Sequence, residues 1–249
     1  MRTFFTLSML LIATIGYGQS KYFKLPNDTI YNEIDFNIHF KSMVRALPKD
    51  YSLTPIIYHK YEINDSIINY VTFQKIWWGD KKIDQSNFEI KYKQDPLFSN
   101  LYKKLPEFNL IDLSGKSFNS SQLMGKPTLI TFWSIGCTGC IIEFPQLDKL
   151  REKYGDRVNF IAIGFDSHDI VIGFLKKKPF GYYHLVNGYN YANNTLKISS
   201  IPRNIFLDKN GYIREIKSIL PCEFDKTTGT PRVTNNFEFD KILEKLTKL

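Results

Sequence analysis

Two cysteines three positions apart, Cys137 and Cys140, are the residues of this sequence best suited to chemistry. They follow the apolar run Thr128–Trp133, which is typical of a short buried strand, and they precede a segment with apolar residues at helical spacing. A helix N-terminus offers unpaired N–H groups and partial positive charge, and both stabilise a thiolate. We therefore predict that Cys137 is the attacking sulfur and that Cys140, one turn later, resolves the mixed disulfide.

An inert disulfide and a metal site are the alternatives for this pair. A zinc site needs about four ligands, usually a second cysteine pair or closely spaced histidines. The histidines are scattered along the chain and none is near the cysteines in sequence: His39, His59, His168 and His184. Redox chemistry is the favoured interpretation. No dinucleotide fingerprint is present, so we predict no cofactor and no direct reduction by NADPH.

The elements around the cysteines predict an α/β domain. After the helix that carries the pair, the pattern indicates further strands and helices in alternation, closed by a hairpin with Asn210-Gly211 at its turn. This order is typical of a sheet covered by helices on both faces. The predicted elements are a strand at 158–165, helices at 169–178, 194–199 and 237–249, and strands at 182–186, 205–207 and 212–219.

The chain changes character near residue 100. Gly79 is the only glycine between residues 19 and 114, whereas glycines recur at intervals beyond them. The β-branched and aromatic stretch 67–78 predicts a strand, and residues 32–47 give a weaker helical pattern with Ile34, Ile38 and Val44 near one face. We predict that residues 19–100 form a separate N-terminal region of mixed or β-rich structure. Its function cannot be derived from these residues.

Residues 1–18 have the features of a cleaved signal peptide. Arg2 supplies a positive charge, residues 4–15 are almost all apolar, and Gly16-Tyr17-Gly18 provides small residues for cleavage. Twelve residues span only about 18 Å, too little for a bilayer core about 30 Å thick. We expect an exported protein, and a periplasmic one if the source is a Gram-negative bacterium.

The charge of the chain does not indicate a nucleic-acid partner. The formal net charge is +8, but the lysines are spread along the sequence and no nucleic-acid-binding motif is present. Export would place three cysteines where disulfides persist, and the odd count leaves at least one sulfur outside any intramolecular pair. Cys222 follows the predicted hairpin, near the expected edge of the active site. An unreactive thiol, a redox role and an intermolecular link all remain open for it.

On these residues the domain 101–249 resembles the exported thiol-disulfide oxidoreductases of the TlpA/ResA type, which have a thioredoxin fold. The runs that carry the resemblance are LPEFNLIDLSGKSFNSSQLMGKPTLITFWSIGCTGCIIEFPQL and SSIPRNIFLDKNGYI. Residues 19–100 lie outside it. The resemblance implies disulfide exchange with disulfide-containing client proteins, and reduction by a membrane-bound electron donor.

The resemblance also assigns roles to residues beside the cysteines. Cys137 is similar to the family's nucleophile and Cys140 to its buried partner. Glu143 takes the position of an acidic residue near the active site, one helical turn from Cys140, where a buried carboxyl can exchange protons with the thiols. An exposed helix glutamate is the alternative. Pro145 corresponds to the family's helix-bending proline, with a structural role.

Pro202 resembles the cis-proline that faces the dithiol in this family. The turn would leave the backbone of Ile201 free to pair with an extended substrate segment. Three features depart from the family pattern: Gly136 replaces a frequent tryptophan, Thr138-Gly139 lacks the common proline, and Arg203 replaces a small hydroxyl residue. The dipeptide between the cysteines affects the redox potential, so the resemblance leaves the redox direction open.

The sequence therefore predicts an exported thiol-disulfide oxidoreductase that acts as a reductant. A thiol peroxidase is an alternative, although such enzymes place a reactive cysteine in a Pro/Thr-rich loop without this spacing. A copper or zinc carrier using Cys137 and Cys140, and a scaffold using the aromatic N-terminal region, are alternatives from another class.

Overall fold

The computed structural model describes residues 19–26, 29–79, 89–224 and 230–249. The predicted signal peptide lies outside these residues. The chain divides into two compact units, of which the first ends at Gln94 and the second spans Asp95–Leu249. The boundary predicted from the sequence, after residue 100, lies six residues later. Asp95 explains the difference, because its side chain caps the 3₁₀ turn Pro96–Asn100, whose buried Leu97 packs into the second unit.

In its described residues the N-terminal unit contains a five-stranded sheet and one helix, so the predicted β-rich region is confirmed. Its long central hairpin includes the strand predicted at 67–78. The order across the sheet is β2-β1-β4-β3-β5, and β3 and β4 are antiparallel. The elements are β1 (Ser20–Lys24), β2 (Ile30–Asn32), α1 (Glu33–Arg45), β3 (Tyr51–Ile63), β4 (Ser66–Trp77) and β5 (Lys91–Tyr92).

Helix α1 covers this sheet with its phenylalanines. The Asn32 side chain accepts the N–H of Asp35 at 2.8 Å and so begins the helix. Phe36 is fully buried and stacks on Phe23 with ring centroids 4.3 Å apart. The sequence correctly predicted a helix here but chose the wrong face, since Ile34 and Ile38 are largely exposed. The aromatic rings bury more apolar surface than the isoleucines, and they decide which face packs inward.

The second unit is built on a seven-stranded mixed sheet flanked by helices. The predicted α/β class and thioredoxin fold are confirmed by its strand order, β12-β11-β8-β9-β10-β6-β7, in which β8, β9 and β10 are parallel and β11 is antiparallel to β8. The strands are β6 (Asn109–Asp112), β7 (Ser117–Asn119), β8 (Thr128–Trp133), β9 (Asn159–Gly164), β10 (Tyr183–Val186), β11 (Arg203–Leu207) and β12 (Ile213–Lys217).

The helices of this unit are α2 (Thr138–Tyr154), α3 (His168–Leu175) and α4 (Phe237–Thr247). The short helix expected at 194–199 lies slightly earlier, as a single π-helical turn at Tyr191–Thr195. A separate two-stranded ribbon pairs β13 (Cys222–Phe224) with β14 (Pro231–Val233). Among the residues described, no helix is both long enough and apolar enough to cross a bilayer.

Strand β8 lies in the middle of the core and leads to the cysteines. All six of its residues are buried, as expected for an interior strand of a sheet covered on both faces. Its β-branched and aromatic composition suits that environment. The chain leaves the carboxyl end of β8 through residues 134–137 and enters α2 directly. This connection places Cys137 and Cys140 at one edge of the sheet.

Candidate functional site

Cys137 caps the N-terminus of α2. Its Sγ accepts the N–H of Cys140 at 3.1 Å, and its carbonyl oxygen accepts the N–H groups of Cys140 and Ile141. A cysteine sulfur thus occupies the capping position that a serine or aspartate oxygen usually takes. In the reduced protein the same donor and the helix dipole favour the thiolate of Cys137 over the thiol.

Cys137 and Cys140 are joined by a disulfide, so the structure represents the oxidised protein. Cys137 is partly exposed, whereas Cys140 is fully buried. Only the first sulfur can therefore be reached by a large partner. This difference in access agrees with the order of attack and resolution predicted from the sequence.

Pro202 and Ile219 lie against the turn between the cysteines. The Ile201–Pro202 peptide bond is cis, and this part of the prediction is confirmed. A Cβ atom at position 139 would lie 3.5 Å from Pro202 Cδ and 3.2 Å from Ile219 Cδ1. Gly139 therefore lets these residues approach the helix start closely. Within the described residues, the backbone of Ile201 makes no hydrogen bond, and it remains available to a partner.

Glu143 is fully buried one turn below Cys140, so the exposed-glutamate alternative is wrong. Burial raises the pKa of its carboxyl from the ordinary value of 4.5 to about 8, although hydrogen bonds from Leu220 and Asn204 act in the opposite direction. A carboxyl of this kind is protonated near neutral pH. It can release or accept a proton close to the pH at which thiols do.

The two oxygens of Glu143 are not equivalent. Oε1 accepts the backbone N–H of Leu220 at 2.5 Å and the side-chain N–H of Asn204 at 3.5 Å. Oε2 is buried and has no hydrogen-bond partner among the described residues. A buried carboxylate oxygen without a donor is costly, so Oε2 is the oxygen that carries the proton.

Sequence reasoning missed three groups that contact Glu143 or support those contacts. They are the Leu220 N–H, Asn204 in β11 and the Thr131 hydroxyl in β8, which donates to Asn204 Oδ1 at 2.5 Å. A signal for two of them was present. Thr131 and Asn204 are polar residues inside apolar strand segments, where a buried polar side chain requires a partner.

Arg203, which departs from the family pattern, is tied to its own unit. Its guanidinium forms an ion pair with Asp95 at 3.0 Å and also donates to the Ser218 hydroxyl. Both members of the ion pair are mostly buried. The positive charge beside Pro202 is therefore neutralised by Asp95.

Cys222 is a free and exposed cysteine at the start of β13. It follows Leu220, the Glu143 donor, by two residues. The three interpretations of Cys222 remain open.

Among the described residues, no group of three or more histidine, cysteine, aspartate or glutamate side chains is arranged to hold a metal ion. The histidines have other contacts. His39 stacks on Tyr31, His184 bonds the Phe180 carbonyl and His168 bonds the Leu113 carbonyl.

Comparison with known proteins supports a redox assignment for this site. The Redoxin family model matches residues 102–219. Thiol-disulfide oxidoreductase ResA of Bacillus thuringiensis subsp. konkukian (strain 97-27) is 30% identical over 118 residues, which cover 46% of this chain and 68% of that protein. ResA of Bacillus cereus (strain ZK / E33L) is 28% identical over 115 residues, or 45% of this chain and 66% of that protein.

A solved structure is also similar to part of this chain. The thioredoxin domain of a thiol-disulfide oxidoreductase from Bacteroides vulgatus aligns with a TM-score of 0.49 and 18% identity, covering 59% of this chain and 97% of that chain. The chain spans about two thirds of the length of the two ResA proteins. Residues 19–94 lie outside the region matched by the family model.

Proposed function

Because the chain belongs to the TlpA/ResA-like thiol-disulfide oxidoreductases, we propose that it reduces disulfides in exported client proteins through Cys137 and Cys140. One observation carries this proposal. A disulfide at the start of α2 has one accessible sulfur and one buried sulfur, and a buried carboxyl lies one turn below it. An inert structural disulfide does not require the buried carboxyl.

The first step begins from the reduced dithiol. The Cys137 thiolate, stabilised by the Cys140 N–H and the helix dipole, attacks one sulfur of a client disulfide. The Cys137–client S–S bond forms while the client S–S bond breaks. The second client sulfur leaves as a thiolate and takes a proton from solvent. At this stage one client sulfur is a free thiol, and the other is still bonded to Cys137 in the mixed disulfide.

The second step returns the protein to the oxidised state. Cys140 must lose its proton before it can attack Cys137 Sγ, and Glu143, in its ionised form, is the base nearest along the helix. The Cys137–Cys140 bond then forms, the mixed disulfide breaks, and the client leaves as a dithiol after protonation. In total two electrons pass from the protein to the client, while one proton comes from solvent and the other from Cys140 by way of Glu143.

Client binding is proposed at Ile201, whose unpaired backbone suits an extended segment added as a strand. Reduction by a membrane-bound dithiol donor is proposed from the family resemblance. Export is proposed from the apolar residues 4–15 and the small residues that follow them.

A Cys140→Ser variant tests this function. Without the resolving sulfur, we expect Cys137 to remain covalently attached to clients, which can be isolated and identified after alkylation of free thiols. Release by dithiothreitol would identify the link as a disulfide. A Cys140→Ser variant that also carries Cys222→Ser should trap the same clients. The Cys137→Ser/Cys140→Ser double variant should trap none.

The proposal fails if well-expressed Cys140→Ser recovers no adducts, or if the adducts persist when Cys137 is also replaced. The second result would assign the attachment to Cys222.

A further inference from the structure

A fully buried amide lies beside the buried carboxyl. Asn204 is in register with Thr131 of β8 on one side and with Lys217 of β12 on the other. The three residues that follow it in β11 are apolar and buried. An amide in such a layer costs free energy unless its donor and acceptor groups are bonded.

The orientation of this amide is determined by its neighbours. The backbone carbonyl of Ser218 can only accept, so the amide atom 3.0 Å from it must be Nδ2 of Asn204. Oδ1 then faces Thr131, whose hydroxyl donates to it at 2.5 Å. A flipped amide would lose the Ser218 bond by placing an oxygen against an oxygen. The second N–H of Nδ2 is therefore directed toward Glu143.

We propose that Asn204 is a positioning residue for the proton exchange of Glu143. Its side-chain N–H, together with the Leu220 N–H, holds Oε1 and leaves Oε2 as the atom that gains and loses the proton. Thr131 does not contact Glu143 directly. Its hydroxyl fixes the orientation of the Asn204 amide, whose N–H donates to Glu143. This inference rests on the proposed function, in which Glu143 exchanges protons with the dithiol.

Few titratable groups face this carboxyl. At the start of α2 they are Cys137 at the N-cap and Cys140 in the first turn, and neither titrates in the oxidised protein. Near the start of β10 lies Tyr182, whose pKa is raised well above its ordinary value, first by burial and then by nearby carboxylates including Glu143. The groups of β11 and the segment 218–220 that contact Glu143 are neutral, namely the Asn204 side chain and the Leu220 N–H. The charged residue of β11, Arg203, forms an ion pair with Asp95. The titration of Glu143 in the oxidised protein is therefore sensitive to its hydrogen-bond donors.

The test is the pKa of Glu143 in the oxidised protein, measured by carbon NMR of its side-chain carboxyl. Asn204→Leu has a similar volume but no donor, and a donor to the carboxylate lowers a pKa. We expect Asn204→Leu to raise the pKa of Glu143 by about 0.5 to 1 unit. Thr131→Val keeps the Asn204 side-chain N–H that bonds Glu143 but removes the hydroxyl that fixes the Asn204 amide. It should therefore raise the pKa of Glu143 by less than Asn204→Leu does.

Asn159→Leu is the matched control. Asn159 is an amide in β9 of the same sheet, at the end of the strand opposite the cysteines, and it bonds the Leu123 carbonyl and the Thr128 hydroxyl. This change removes two hydrogen bonds without touching Glu143. It should leave the Glu143 titration unchanged, which separates positioning from a general loss of stability.

A measurement on the unmodified protein covers the case in which Asn204→Leu does not fold. The side-chain NH₂ signals of Asn204 should shift with the same midpoint as the Glu143 carboxyl. The inference is overturned if these signals do not follow that titration, or if folded Asn204→Leu leaves the Glu143 pKa within about 0.2 unit of the original. Failure of the proposed function would appear differently, as the absence of client adducts with well-expressed Cys140→Ser.

Discussion

The two units of this chain differ in what they bury. The core of the N-terminal unit combines stacked aromatic rings with aliphatic side chains, and Asn69 is the one buried polar side chain among its described residues. Asn69 donates to the Tyr22 carbonyl. The second unit buries a larger polar set: Asp112, Ser120, Thr128, Thr131, Glu143, His184, Asn204 and Asp208.

The buried rings of the first unit stabilise its fold, whereas the buried Glu143 of the second unit destabilises the fold when it is ionised. Stacked rings such as Phe23 and Phe36 stabilise the first unit by removing apolar surface from water. Glu143 has the opposite effect near and above neutral pH, because a buried carboxyl opposes its own ionisation. A buried group with so strongly shifted a pKa, next to a redox disulfide, is typical of a functional site.

The largest expected effect concerns Glu143 and the pH dependence of stability. The folded protein keeps this proton up to about pH 8, whereas the unfolded chain releases it near 4.5, so the folded state binds more protons between these values. Stability from this group therefore falls as pH rises through that range, by about 5 kcal/mol in total. Glu143→Gln does not titrate and should remove this fall.

Urea unfolding of the oxidised protein at pH 5 and pH 9 measures this effect. The original protein should lose several kcal/mol more of its free energy of unfolding from pH 5 to pH 9 than Glu143→Gln does. Glu152→Gln, at an exposed position of the same helix, is the control and should show no such gain. An equal pH dependence in the Glu143→Gln variant would remove the contrast between the two cores.

Phe36→Ala should give the next largest effect, confined to the N-terminal unit. Loss of a fully buried ring costs about 3 to 5 kcal/mol, and the cost should be the same at pH 5 and pH 9 because no proton is involved. Hydrogen exchange of amides in β1 and β4 would report it. Ile38→Ala on the exposed side of α1 should cost less than about 0.5 kcal/mol, and a similar loss in both variants would contradict the assigned face.

Asn69→Ala should have the smallest effect on stability. It tests the buried amide of the N-terminal unit against Asn204, the buried amide of the second unit. Loss of its bond to the Tyr22 carbonyl should destabilise the N-terminal unit by about 1 to 2 kcal/mol. The Glu143 pKa should not change, in contrast to Asn204→Leu. A shift of the Glu143 titration in Asn69→Ala would show that such shifts report general destabilisation, and it would weaken the positioning argument.

Local patterns predicted most elements of the second unit. The apolar β-branched run of β8 and the helical spacing in α2 come from neighbouring residues, so both were predicted within a few positions. The face of α1 was not predicted, because two apolar faces were available and only packing against the sheet selected Phe36 over Ile34. The unit boundary depended on Asp95, whose cap joins the turn to the second unit.

By itself the sequence determined that two cysteines lie at a strand-to-helix junction, with a glutamate one turn beyond. That much depends only on spacing along a helix. Only the tertiary structure determined the protonation behaviour of this glutamate, Glu143. Its pKa depends on burial and on donors from Asn204 and Leu220, which are 61 and 77 residues away along the chain. Solvation and hydrogen bonding are properties of the surrounding space, and residues so distant become neighbours only when the sheet forms.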